Sequence, residues 1–153
     1  MQFSDAMREL AENSGIGPLQ FDADGSVALL FDGEHEITFT PDAEDRSVLF
    51  HAELGPAPLQ DASACLKLLT ASLLGAQTGG AALAVHEALG AVVLWKRHDD
   101  SFADRADLER AVNLFLVQVI AWKERLKQAR TTEADAKPGL PPQLRGTASV
   151  QYA

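Results

Sequence analysis

Residues 103–128 carry more apolar surface than one flank of a helix can hide. Leu108, Ala111, Val112, Phe115, Val119, Trp122 and Leu126 recur at three- and four-residue spacing and make one continuous stripe. Leu114, Leu116, Val117 and Ile120 add a second arc beside it. Two other segments share this excess. A helix predicted over 59–74 carries Leu59, Ala62, Leu66, Leu69 and Leu73 on one stripe, broadened by Cys65, Leu68, Ala71 and Leu74. Its only charges are Asp61 and Lys67. In a strand predicted over 91–97, Val92 and Leu94 oppose Val93 and Trp95, so both faces are apolar. A chain of 153 residues fits one domain with one core. So few elements leave apolar surface that a second body must cover, although a central place in the chain's own core is the competing reading for the 59–74 helix.

The remaining chain divides cleanly. Phe3, Ala6, Met7, Leu10 and Ala11 share one face of a short helix over 3–13, which Gly15 and Gly17-Pro18 end. Three antiparallel strands follow at 27–31, 36–40 and 47–54, with Asp32-Gly33 as a tight-turn signal between the first two. In the third, Val48, Phe50, Ala52 and Leu54 alternate with Leu49, His51 and Glu53. Gly79-Gly80 precedes a second strand pair at 82–86 and 91–97, joined by a loop at 87–90. Ser101 or Asp104 caps the last helix, expected over 103–128. The class is therefore α+β, in the order α-β-β-β-α-β-β-α. Residues 1–130 form the domain, and 131–153, with Pro138, Pro141 and Pro142, read as a flexible tail.

Charge narrows the function. Residues 1–100 hold sixteen acidic and five basic side chains and residues 101–153 six and eight, giving the net charge of −9. An acidic body repels phosphate backbones, which disfavours nucleic acid, and suits a basic protein partner or simple solubility. The basic bias near the end follows the helix dipole: Asp104, Asp107 and Glu109 load the start of the last helix, Lys123, Arg125, Lys127 and Arg130 its end. Met1–Asp5 is not a basic, apolar leader, and no apolar run approaches the ~20 residues that cross a bilayer, so a cytoplasmic protein is expected.

No catalytic or metal motif emerges. His35, His51, His86 and His98 are scattered over strands and strand ends without metal-ligand spacing. Cys65, the single cysteine, sits within an apolar helix and reads as a small buried hydrophobe. Asp22, Asp24, Asp32, Glu34 and Glu36 lack the late glutamate of a calcium loop, and Gly75, Gly79 and Gly80 lack the lysine and hydroxyl of a phosphate loop. A non-enzyme without cofactor or metal is expected. The informative positions are apolar: Leu30, Leu49, Val93 and Trp95 on second strand faces, and Phe3 and Met7 on the first helix. They either line grooves for another chain or complete the chain's own core.

The element order and the segments FSDAMRELAENSGIGPLQFDADGSVALLFDG, LFHAELG, LQDASACLKLLTASLLG and ALGAVVLWKRHDD resemble the class I chaperones of type III secretion over about residues 1–128. The resemblance implies a cytoplasmic homodimer that binds the N-terminal chaperone-binding segment of secreted effectors. That segment wraps around the dimer in extended form and stays soluble for delivery to the secretion ATPase. It further implies effector binding by Phe3, Met7, Leu10, Leu30, Leu49 and His51, and a dimer interface at Leu66, Leu69, Leu73, Val93 and Trp95. A regulatory or structural homodimer outside secretion and a small-ligand-binding domain are the alternatives.

Overall fold

The computed structural model describes residues 1–135. Its elements are α1 (Phe3–Ser14), β1 (Val27–Phe31), β2 (His35–Asp42), β3 (Ser47–Pro56), α2 (Ala62–Ser72), β4 (Ala82–His86), β5 (Ala91–Asp99) and α3 (Arg105–Asp135). One-turn 3₁₀ segments at Leu73–Gly75 and Glu87–Leu89 follow α2 and join β4 to β5. The five strands make one antiparallel sheet in the order β1-β2-β3-β5-β4. This is the α+β order expected from the sequence.

Local chemistry sets the boundaries. Asp32 and Gly33 both take positive φ, 52° and 69°, and the Glu34 N–H closes the β1–β2 turn on the Phe31 carbonyl at 3.1 Å. Helix α2 starts at Ala62 rather than near Leu59, because the Asp61 carboxylate accepts from the Ala64 N–H at 3.0 Å and caps it there. The Asp104 carboxylate accepts from the Asp107 N–H at 2.9 Å at the start of α3. That helix runs past the expected end at Gln128 and takes in 131–135, the first residues of the predicted tail. The Thr131 and Thr132 hydroxyls turn back to the carbonyls of Lys127 and Gln128 at 3.1 and 3.0 Å, so both are satisfied within the helix. The rest of the predicted tail, 136–153, lies outside the described residues.

Alternation along the strands sends Val27, Leu29, Ile37, Phe39, Val48, Phe50, Val92 and Leu94 to one face, where all are buried. Helices α1 and α3 cover that face. A chain of aromatic contacts fastens them: Phe3 of α1 lies 6.0 Å from Phe39, Phe39 meets Phe50 edge-on at 4.7 Å, and Phe50 meets Phe115 of α3 edge-on at 5.9 Å. The start of α1 is tied to the approach to α3, since the Phe3 N–H donates to the Asp100 carbonyl at 2.8 Å. Phe3, Met7 and Leu10 are buried in this core, Met7 at 0% exposure, so their stripe packs on the chain's own sheet. Phe3 also borders a depression of about 340 Å³ with Arg8, Phe21 and Pro41.

Helix α2 is held differently. It packs on the β4 edge, where the Ser72 hydroxyl accepts from the Leu83 N–H at 2.9 Å, and of its residues only Ala71 is buried. The chain then folds sharply back. A Cβ on Gly75 would lie 2.5 Å from the Gly80 Cα, so the turn needs glycine at that crossing. The Trp122 indole N–H donates to the Gln77 carbonyl at 3.2 Å and fixes this turn against α3.

His98 sits at the margin of the core with its ring 4.4 Å from Phe50, and its buried Nε2 has no hydrogen-bond partner among the described residues. Burial holds its pKa below the usual 6.5. Nearby Lys96 pushes the same way, and Asp99 and Asp107 oppose. Above pH 6.5 both folded and unfolded chains keep this ring neutral. Below 6.5 the unfolded chain takes up a proton that the folded one resists, so stability falls with pH. Urea titrations between pH 7 and pH 5 should show this decline, and His98→Gln should make it shallower. An identical slope in the variant would remove His98 from the account.

Candidate protein-binding surfaces

The sheet face turned away from α1 and α3 is built by the other half of each alternation. Strand pairing sets Ala28 beside Thr38, Thr38 beside His51, His51 beside Trp95 and Trp95 beside Ala82, a row across all five strands. A flanking row joins Glu53, Val93 and Ala84, with Leu30 beside Glu36 on the β1–β2 pair. On the other flank, Thr40, Leu49 and Arg97 are neighbours. Leu30 is 61% exposed and Trp95 36%. Leu49, His51 and Val93 are half-buried. The face therefore mixes apolar side chains with carboxylates and hydroxyls. A depression of about 640 Å³ opens on it between Glu36, Thr38, His51, Glu53 and Val93.

His51 is the polar centre of this face. Its Nε2 lies 3.3 Å from the Thr40 hydroxyl, which also accepts from the Ser26 hydroxyl at 3.2 Å. Partial burial holds the imidazole pKa below the usual value. A neutral ring beside the Trp95 indole suits contact with a peptide chain, which offers both apolar groups and hydrogen bonds. β1 forms one border of the sheet, so Leu30 stands next to an open strand edge.

A second surface lies on α2. Leu66, Leu69 and Leu73 follow each other at three- and four-residue spacing and all point to solvent, Leu69 at 69% exposure. Leu74 continues them at 94% exposure and takes a positive φ of 52°, a conformation that is costly for a branched side chain. The charge-poor helix therefore spends its broad arc outward, where the sequence left a core role open.

The structure places the residues singled out in the sequence in three settings. Phe3, Met7 and Leu10 lie in the core. Leu30, Leu49, His51, Val93 and Trp95 share the open sheet face, where His51, expected on the effector side, pairs directly with Trp95, expected on the dimer side. Leu66, Leu69 and Leu73 stand apart on α2. Sequence reasoning assigned no role to the exposed Leu114 and Val117 of α3, although their place on its second arc marked them. The Cys65 thiol donates to the Pro58 carbonyl at 3.3 Å. No cluster of metal-ligating side chains occurs among the described residues, and no helix there is long and apolar enough to cross a membrane.

Several solved structures share this fold. The HopA1-SchA chaperone–effector complex contains a chain 19% identical, with a TM-score of 0.67 over 80% of this chain and 93% of that one. The ExsC-ExsE complex matches at 19% identity and a TM-score of 0.66, over 79% and 90% of the two chains. The Yersinia pestis type III secretion chaperone SycH, solved with a stable fragment of YscM2, matches at 16% identity and a TM-score of 0.61, over 78% and 98%. No curated protein sequence matches the chain. Residues 5–123 match the family model of the Tir chaperone protein (CesT) family, and the chain belongs to that family of type III secretion chaperones.

Proposed function

We propose that the chain works in the cytoplasm as a homodimer without catalytic activity, holding the N-terminal segment of a secreted effector in extended form along its open sheet face and presenting it to the secretion ATPase. The observation that carries this reading is the uncovered face itself. Leu30, Leu49, Val93 and Trp95 are apolar side chains that the chain's own helices leave to water. Removing such surface from water contributes about 25 cal/mol per Å² before ordering costs. An extended client can bury alternate side chains here and add backbone hydrogen bonds at the β1 edge. Because the client orders only on binding, a large contact need not give an irreversible complex. The shared fold of the SchA, ExsC and SycH complexes supports the same role, since the first is named a chaperone–effector complex and the third holds a chaperone with a bound fragment.

Phe3, Met7 and Leu10 contribute from beneath, by fastening α1 to the sheet. The α2 leucines supply the dimer contact. Each leucine buried there contributes on the order of 1.5–3 kcal/mol.

Two experiments test these assignments. The client is captured by pull-down from the native cell, identified by mass spectrometry, and its N-terminal segment titrated calorimetrically. Leu30→Asp with Trp95→Asp should weaken binding at least ~30-fold, about 2 kcal/mol, without changing the circular dichroism spectrum. Unchanged affinity would move the client off this face. For assembly, Leu69→Asp with Leu73→Asp should give folded monomers by light scattering, because neither leucine lies in the core of a single chain. A dimer that survives this double substitution would place the interface elsewhere.

A further inference from the structure

A groove of about 540 Å³ lies between α2, the 56–58 turn and the C-terminal half of α3, away from the open sheet face. Its floor is apolar, formed by Leu68, Ala71, Trp122 and Leu126. Its rim is cationic, formed by Lys67, Arg125 and Arg130. The Arg125 guanidinium lies over the Trp122 ring, 4.7 Å from its centre. The Arg130 guanidinium lies 3.9 Å from where a Cβ on Gly55 would stand, so it reaches over the end of β3. None of the three cations takes part in an ion pair among the described residues. That is notable in a chain of net charge −9.

The volume suits two or three apolar side chains, and pockets of this size with a few convergent polar groups are typical binding sites. An oily floor under positive charge with no ion-pair partner among the described residues selects an occupant with apolar groups flanked by carboxylates. The chain's own residues 136–153 do not fit that chemistry, since they carry Lys137 and Arg145 and no acidic side chain. The α2 leucine stripe is also a different flank of the helix from Lys67, Leu68 and Ala71, so contact between two copies through those leucines leaves the groove open.

We propose that this groove is a second docking site, for an acidic amphipathic helix of a protein other than the client, filled at the same time as the client face. The apolar stripe of the helix lies on Leu68, Trp122 and Leu126, and its glutamates meet Lys67, Arg125 and Arg130. Helix-in-groove recognition supplies the affinity, and the charges fix orientation and speed encounter.

The test uses the full chain and a fluorescein-labelled synthetic helical peptide with leucine and phenylalanine at i, i+4 and i+7 and glutamates beside them. A twin peptide carries lysine in place of each glutamate. Fluorescence anisotropy should show binding of the acidic peptide, weakened at high salt, and at least ~30-fold weaker binding of the twin. Lys67→Glu with Arg130→Glu should weaken the acidic peptide at least ~10-fold and leave the affinity for the client segment and the circular dichroism unchanged. Absence of binding by the acidic peptide, which is also the result if the chain itself or a second copy fills the groove, would overturn the proposal. Equal binding of the twin, or indifference to the charge reversal, would overturn it too. The client titration on the same variants keeps a failure here separate from a failure of the client surface.

Discussion

The aromatic run Phe3–Phe39–Phe50–Phe115 decides how the rest of the molecule is arranged. It seats α1 and α3 on the same face of one sheet. Both helices are then used, and nothing in the described chain remains to cover the opposite face. Strand geometry does the rest: every residue between two core positions must point the other way. Leu30, Leu49, Val93 and Trp95 are left outside by this rule, not by weak packing. A chaperone of this family gains from that arrangement. The sealed half anchors the sheet, and the bare half is the surface proposed for the guest.

Helix α2 carries the same logic to the edge of the sheet. One buried alanine, a serine bond to Leu83 and the Trp122–Gln77 hydrogen bond hold this region in place. Leu66 and Leu69 face out, while Lys67 and Leu68 face the groove. Partner surfaces are thereby separated by chemistry. The sheet face mixes apolar groups with Glu36 and Glu53, the α2 stripe is nearly uncharged, and the groove is cationic. An acidic body steers basic segments toward the first and keeps like-charged neighbours away.

Much of the fold was legible in the sequence because its signals are local. Period-two alternation located every strand to within a few residues, and Asp32-Gly33 announced a turn whose positive φ angles only such residues adopt readily. The stripe from Leu108 to Trp122 correctly marked the core side of α3. The role of an apolar stripe was less legible. Phe3, Met7 and Leu10 make the same pattern whether they dock on their own sheet or receive a guest, and the aromatic contacts that decide between these are long-range. The wide arc of α2 likewise announced two environments without saying which leucines faced water. The end of α3 was misplaced because composition drifts toward Pro138, whereas the helix continues to Asp135. The cationic groove had no sequence signature at all, since Lys67, Arg125 and Arg130 converge only when α2 folds back toward α3.

The most direct measurement is hydrogen exchange by mass spectrometry on the chain alone and with its client segment bound. The account predicts new protection in 27–31 and 91–97, at the free strand edge and under Trp95, with 3–14 already slow to exchange and unchanged. Protection confined to 3–14, with the strands unaffected, would contradict it, because the guest would then be held by the helix that this structure assigns to the core.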